Sequence, residues 1–180
     1  MDTPEVELAR KLLAGDKSAM QPFVEAFQRK VFNYTWLMCG QREDAEEVAQ
    51  DTLLKVFESW EQLRNPEQVK PWVFQIARNC CLMKRRKSVF APVAEVPVDD
   101  VPLESHDEAA DERVIRHELN AELEKALRAI PEMYRSVVLL RDAEEMSTSE
   151  TAALLEISES NVKQRLHRGR AMLRKLLVAA

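Results

Sequence analysis

The residues best suited to chemistry lie at the C-terminal end and are basic. From Ser160 onward the chain reads SNVKQRLHRGRAMLRKLLVAA and contains no acid. Lys and Arg at this density suit phosphate, and Gln, Asn and Arg offer the paired donors and acceptors that read base edges. No set of residues suits bond-making: there is no glycine-rich phosphate loop, no H-E-x-x-H and no nucleophile motif. An enzyme is therefore not expected. Cys39, Cys80 and Cys81 contain no C-x-x-C, and His106, His117 and His167 are scattered, so neither a metal nor a cofactor is expected. The thiols read as reduced and mostly buried, with a sensor built on adjacent Cys80 and Cys81 as the lesser alternative.

Two helices joined by a tight turn would position the basic residues. Ser147 and Glu150 have the spacing of a capping box, which starts a helix there. Ala152, Ala153, Leu154 and Leu155 carry it to a break at Glu156-Ile157-Ser158, and the Ser158 hydroxyl is placed to cap a second helix. At about 100° per residue, Val162, Leu166, Gly169 and Leu173 form one seam. Gly169 on that seam allows close packing. Gln164, His167, Arg168 and Ala171 point away from it, and Lys163, Arg165, Arg170 and Arg174 fall on the flanks or lower face. This is the pattern of a helix-turn-helix that enters the DNA major groove. The bland alternative is a solvated basic helix, since Lys and Arg favour a helix C-terminus anyway.

The rest of the chain also reads as helical. Of 180 residues, 46% are hydrophobic, the share of a folded protein, and only 3 are glycine. Strand-like alternation is confined to Val93–Val101, where prolines interrupt it. The net charge of −5 conceals a segregation of sign. Lys84-Arg85-Arg86-Lys87 and the tail from Lys163 to Lys175 are basic. Ser88–Glu112 has no Lys or Arg and carries eight acids, Glu95, Asp99, Asp100, Glu104, Asp107, Glu108, Asp111 and Glu112. With Pro92, Pro97 and Pro102, that interval reads as an extended acidic linker. The N-terminus is acidic and mixed, unlike a signal peptide, and no apolar run is long enough to span a membrane. A cytoplasmic protein without membrane insertion is expected.

Before the linker, residues 1–15 suggest a short helix with Leu8, Leu12 and Leu13 on one side. Met20, Phe23, Phe27, Val31 and Tyr34 then recur at helical spacing up to Cys39-Gly40, with Pro22 near the start. Asp44–Trp60 is the clearest helix. Val48, Thr52, Val56 and Trp60 form its stripe, thickened by Leu53 and Phe57. Its other face carries Asp44, Glu47, Gln50, Asp51 and Lys55, with Leu54 exposed, and on composition alone reads as a solvent face. Arg64-Asn65-Pro66 marks a turn, and Pro71 opens the next helix. Trp72, Val73, Ile76, Cys80 and Met83 share one face of it, whereas Arg78, Asn79, Leu82, Arg85 and Arg86 do not. Rings interleaved with Arg and Asn suit single-stranded nucleic acid, the alternative being that Trp72 anchors the core. After the linker, Leu119, Leu123, Leu127 and Ile130 stripe a helix over Arg113–Ile130. Pro131 breaks it, and Glu132–Arg141 presents Tyr134, Val137, Val138 and Leu140.

Three segments in this order resemble an extracytoplasmic-function (ECF) RNA polymerase sigma factor. DAEEVAQDTLLKVFESW (Asp44–Trp60) is similar to the family's D-A-E-D-x-x-Q-E-x-F-x-x-x-W helix. PWVFQIARNCCLMKRRK (Pro71–Lys87) is similar to its W-L-x-x-I-A-R-N segment. Ala129–Leu177 resembles L-P-x-x-x-R-x-V-x-x-L-R followed by S-x-x-E-x-A and T-V-x-x-R-L-x-R-A-R-x-x-L.

The resemblance implies an all-α fold of two small helical domains. Residues 1–87 would form a region 2-like domain, 88–112 the linker, and 113–180 a region 4-like helix-turn-helix domain. It implies that Asp44, Glu47, Gln50, Asp51 and Lys55 contact the β′ clamp helices of core RNA polymerase. Arg64, Asn65, Lys70, Trp72, Arg78, Asn79, Arg85 and Arg86 would meet the minus-ten element of promoter DNA. Ser160, Asn161, Lys163, Gln164, Arg165, His167, Arg168, Arg170 and Arg174 would meet the minus-thirty-five element, beside the β flap. It also implies an anti-sigma factor as partner. The alternatives are a stand-alone dimeric helix-turn-helix regulator and a decoy for an anti-sigma factor. The chain departs from the family pattern at Glu145, where many members have Gly, at Asn161 for a frequent Thr, and at Gly169 for a frequent Ala.

Overall fold

The structure is a computed structural model and describes residues 3–88 and 121–178. Helix α1 (Pro4–Leu13) starts on a proline, whose missing N–H would have had no helical partner. Glu5 and Glu7 in its first turn and Arg10 and Lys11 in its last match the helix dipole. A short turn at Lys17–Ala19 follows, in which the Asp16 carboxylate accepts from the Ser18 N–H at 3.0 Å. Helix α2 (Met20–Cys39) tolerates Pro22 in its first turn and buries Phe23, Phe27, Val31, Tyr34 and Met38.

Gly40, at φ 85, ends α2 in a backbone conformation that glycine adopts without a side-chain clash. Helix α3 (Arg42–Ser59) turns Ala45, Val48, Ala49, Thr52 and Val56 inward. Two buried hydroxyls are satisfied there: Thr35 donates to the Ala45 carbonyl at 3.0 Å, and Thr52 to Val48 at 2.7 Å.

Helix α4 (Val69–Ser88) starts two residues ahead of the expected Pro71. The turn at Pro66–Gln68 feeds directly into it, and a proline in the first turn still sacrifices no helical bond. Val69, Val73, Phe74, Ala77, Cys80 and Cys81 are buried. Trp72 and Ile76 are half-buried against the N-terminal cluster. Of the expected stripe, Val73 and Cys80 are buried, Trp72 and Ile76 are half-buried, and Met83 departs from it. Met83 is 48% exposed, whereas Phe74 lies edge-on to Tyr34 at 5.3 Å between ring centres. The reason is that α4 packs on two sides, against α2 and α3 and against the C-terminal half. Phe57 on α3, expected to thicken its stripe, is 55% exposed.

In the C-terminal half, α5 is described over 121–129, α6 spans Glu132–Val138, α7 Thr148–Leu155 and α8 Glu159–Val178. Leu127 and Ile130 of the expected stripe are buried, whereas Leu123 is 41% exposed and Ala126 is buried in its place. Beyond α6 the chain widens into a π-helical turn at Leu139–Ala143, where the Glu144 N–H reaches back to the Leu139 carbonyl at 3.0 Å. No strand occurs among the described residues. Of the expected linker over 88–112, Ser88 is the last residue of α4 and the rest lies outside them, as does the beginning of the Arg113–Ile130 helix.

The two halves share a core. Tyr34, Met38, Phe74, Ala77 and Cys81 pack in one cluster with Leu127, Ile130, Leu139, Leu140 and Leu154. Around it, arginines cap the C-terminal carbonyls of α2, which have no partner within their own helix. Arg128 donates to the Gly40 carbonyl at 2.7 Å and to Trp36 at 3.2 Å, with its guanidinium 4.0 Å from the Trp36 ring centre. Arg135 donates to Leu37 at 2.6 Å, and Arg85 donates to Met38. The Trp36 indole N–H donates to Glu124 at 2.6 Å. Cations at the negative end of a helix dipole, bonded to its free carbonyls, make this a charge-assisted clasp.

Candidate nucleic-acid interface

The helix-turn-helix forms as its residues require. Ser147 Oγ accepts from the Glu150 N–H at 3.1 Å, and the Glu150 carboxylate accepts from the Ser147 N–H at 2.7 Å, so the capping box is complete. Glu156 at φ 57 turns the chain out of α7. Ser158 Oγ then accepts from the Asn161 N–H at 3.2 Å and starts α8. Val162, Gly169 and Leu173 are buried along the inner face of α8. A Cβ on Gly169 would stand 2.8 Å from Val138 Cγ2, so the close packing expected there is present.

With that seam inward, Ser160, Asn161, Lys163, Gln164, His167, Arg168 and Arg174 are all exposed. Arg165 and Ala171 are half-buried, the latter against its expected outward position. Arg165 lines a cleft between the two halves. Arg170 is held by Asp142 through Nε at 2.9 Å and Nη2 at 2.5 Å.

The α4 residues divide in the same way. Arg64 and Asn65 are exposed in the loop before it, where Asn65 Oδ1 caps the Pro66–Gln68 turn by accepting from the Glu67 N–H at 3.0 Å. Asn79 and Arg86 face outward. Lys70, Arg78 and Arg85 face the C-terminal half. Lys70 donates to the Glu144 carbonyl at 2.9 Å, Arg78 lies 3.6 Å from Glu156, and Arg85 pairs with Glu132. The Glu144 carboxyl beside this seam is pushed up from its ordinary value, mainly by burial.

On α3, Gln50, Asp51 and Lys55 are exposed, while Asp44 is half-buried at 3.1 Å from Lys84, which also bonds Glu47. These two carboxylates, Glu47 first, raise the Lys84 pKa. Leu54 and Phe57 are each 55% exposed beside this polar row. Phe32, Ala49, Gln50 and Leu53 line a shallow groove of about 360 Å³ between α2 and α3. The groove and Phe57 escaped the residue pattern, although an apolar pair at i and i+3 on a charged face was its available signal. Among the described residues, no three His, Cys, Asp or Glu side chains come together as a metal site, and no helix is long and apolar enough to cross a membrane.

A capped helix-turn-helix with a basic outer face, joined to a helical bundle, defines a two-domain DNA-binding protein. Residues 23–89 match the family model described as Sigma-70 region 2, and residues 120–173 match Sigma-70, region 4. The ECF RNA polymerase sigma factor SigM of Mycobacterium tuberculosis (strain ATCC 25618 / H37Rv) is 30% identical over 173 residues, covering 96% of this chain and 84% of that protein. SigW of Bacillus subtilis (strain 168), also an ECF RNA polymerase sigma factor, is 26% identical over 175 residues, covering 93% and 94%.

Two solved structures share the fold. The sigma factor RpoE in complex with the anti-sigma factor NepR from Bartonella quintana has a TM-score of 0.70 at 22% identity, covering 87% of this chain and 95% of that one. CnrH in complex with the cytosolic domain of CnrY has a TM-score of 0.66 at 23% identity, covering 97% of each. The chain belongs to the ECF RNA polymerase sigma factors. It is a transcription-initiation factor that works with RNA polymerase at promoter DNA.

Proposed function

We propose that the two halves divide promoter recognition between them, with domains at 1–87 and 113–180 joined through 88–112. Helix α8 enters the major groove of the minus-thirty-five element, with Gln164, Lys163 and Arg168 on base edges and Ser160, Asn161, His167 and Arg174 near the backbone. Arg165 and Arg170 join them once released from the cleft and from Asp142. Helix α4 and the loop before it meet the minus-ten element. Asn79 and Arg86 are open to solvent, and Lys70, Arg78 and Arg85 become available when the halves part. Trp72, half-buried, borders the pocket for an unstacked base with Arg64 and Asn65, and capture of that base offsets an opening cost of a few kcal/mol. Asp44, Glu47, Gln50, Asp51 and Lys55, flanked by exposed Leu54 and Phe57, dock on the β′ clamp helices. The protein acts in the cytoplasm and has no catalytic site of its own. The solved relative that binds NepR supports an anti-sigma factor as partner here.

The observation that carries this proposal is the outward row on α8, fixed in orientation by buried Val162, Gly169 and Leu173. Arg168→Ala should cost roughly 1–3 kcal/mol on the best promoter and relax preference at one upstream position. Arg174→Ala should weaken all upstream variants alike and reduce the salt slope by about 1. Holoenzyme binding over a panel of upstream variants at several salt concentrations separates the two. A parallel loss on every variant for Arg168→Ala would reject the assigned reading face.

A further inference from the structure

The three cysteines are free thiols, and the helices sort them in a way their spacing does not suggest. Cys80 and Cys81 are adjacent on α4, so their side chains leave the helix about 100° apart. Cys80 turns toward α3, where its sulfur lies 3.4 Å from Lys55 Nζ. Cys81 turns toward α2, where its sulfur lies 3.0 Å from that of Cys39, the last residue of that helix. Cys81 also lines the cleft of about 360 Å³ between the two halves, together with Tyr34, Met38, Arg78, Leu82 and Arg85. Cys39 is half-buried rather than enclosed. A small oxidant therefore has a path to the pair.

We propose that Cys39 and Cys81 form an oxidisable dithiol that a hydroperoxide converts to an intramolecular disulfide between α2 and α4. The charges around the pair assign the roles. The hydrogen bond from Cys81 holds the Cys39 thiol below the ordinary cysteine value, and Arg85 and Lys84 add to this against burial and Asp44. The same bond, with burial, pushes the Cys81 thiol well up. Cys39 is thus the thiol of the pair that ionises first, and Cys81 the one that keeps its proton. The Cys39 thiolate attacks one peroxide oxygen and the O–O bond breaks. Cys39 becomes a sulfenic acid, and the departing alkoxide or hydroxide takes a proton. Cys81 sulfur then attacks Cys39 sulfur and the S–O bond breaks. Hydroxide leaves with the Cys81 proton as water, and the S–S bond remains. Two electrons pass from the two thiols to the peroxide.

This bond would tie α4 to the last turn of α2, whose carbonyls receive Arg85, Arg128 and Arg135. Oxidation would therefore be felt at the seam between the halves.

The full-length reduced chain should be treated with limiting hydrogen peroxide and its peptides mapped by mass spectrometry without reduction. The expected product is a monomer lighter by two hydrogens, with Cys39 linked to Cys81 and Cys80 still alkylatable. Cys80→Ser should give the same bridge. Cys81→Ser should stop at a Cys39 sulfenic acid that dimedone traps. Should Cys81→Ser fail to fold, the pH profile of Cys39 alkylation in the Cys80→Ser chain remains a test. Arg85→Ala in that background should move the profile to higher pH. A bridge involving Cys80, disulfides only between chains, or unchanged thiols where a free thiol control is oxidised would each overturn the proposal.

Discussion

Glu145 holds a backbone position that its residue type does not favour. Its φ is 55, in the left-handed region, two residues past the end of the π-helical turn that closes α6. A side chain with a Cβ is strained there, by roughly 1–2 kcal/mol. The family's frequent glycine at this point now has a physical reason, since the chain must reverse between the π turn and the cap at Ser147. Glu145→Gly should therefore raise stability by about 1 kcal/mol, less whatever glycine adds to the entropy of the unfolded chain. A urea titration of the full chain measures it, and a lower midpoint at unchanged slope would show that Glu145 makes a compensating contact. One residue earlier, Glu144 has a carboxyl raised by burial. Its folded pKa lies above its unfolded value, so its contribution is most favourable below the unfolded pKa and is lost as pH rises through the folded one. Glu144→Gln should stabilise the chain near neutral pH and make little difference below about pH 4, where the carboxyl is protonated in both states.

At the scale of elements, α8 shows how two helices fit through a single missing methyl. Gly169 lies over Val138 of α6, and an added Cβ at 2.8 Å meets a stiff branched side chain. Gly169→Ala gains about 1 kcal/mol of helix propensity and loses about 1–3 kcal/mol to overpacking, so a net loss is expected. In a Val138→Ala background the clash is gone and the same change should stabilise. A double-mutant cycle by thermal unfolding reads the coupling, and additivity would mean that the two positions do not meet. The family's frequent alanine thus gives way here to a specific pairing of Gly169 with Val138.

The individual helices were legible because their signals are local. The capping box at Ser147, the stripe from Met20 to Tyr34 and the break at Glu156-Ile157-Ser158 are all set by neighbours within a few residues. The face of α4 was not. It is contacted from both sides, so Phe74 and Cys81 are buried where a one-sided stripe predicts Met83. The arginine clasp was invisible for a stronger reason. Its acceptors are backbone carbonyls of α2, which carry no side-chain signature, and Arg128 stands 88 residues from Gly40. The approach of Cys39 to Cys81 was hidden likewise by a separation of 42 residues, whereas adjacency made Cys80 and Cys81 the visible pair. The outward row on α8 was legible, but the partners of Lys70, Arg78, Arg85 and Arg170 were not.

For the whole molecule, the closed seam conflicts with simultaneous contact to both promoter elements. A compact chain of this length has a radius of gyration of about 16 Å and is roughly 40 Å across. The minus-ten and minus-thirty-five elements lie about 25 base pairs apart, or roughly 85 Å of duplex at 3.4 Å per step. The expected linker, residues 88–112, has at most roughly 85 Å of covalent reach, enough to connect domains that have parted. Binding both elements therefore requires the shared cluster of Tyr34, Met38 and Phe74 with Leu127, Leu139 and Leu140 to open. That opening also exposes Lys70, Arg78 and Arg85. Arg128 is the residue to remove, because its bonds to Trp36 and Gly40 hold the seam and it belongs to neither proposed DNA surface. Charge-assisted bonds contribute about 1.5–3 kcal/mol, so Arg128→Ala should raise the open population on the order of tenfold or more. Fluorophores attached on α3 and α7 should show lower energy transfer in the free variant, and its apparent affinity for core RNA polymerase should rise by a related factor. Energy transfer equal to that of the unmodified chain would show that the apolar cluster, not the clasp, holds the halves together. Lower transfer without tighter binding would show that closure does not limit assembly with polymerase.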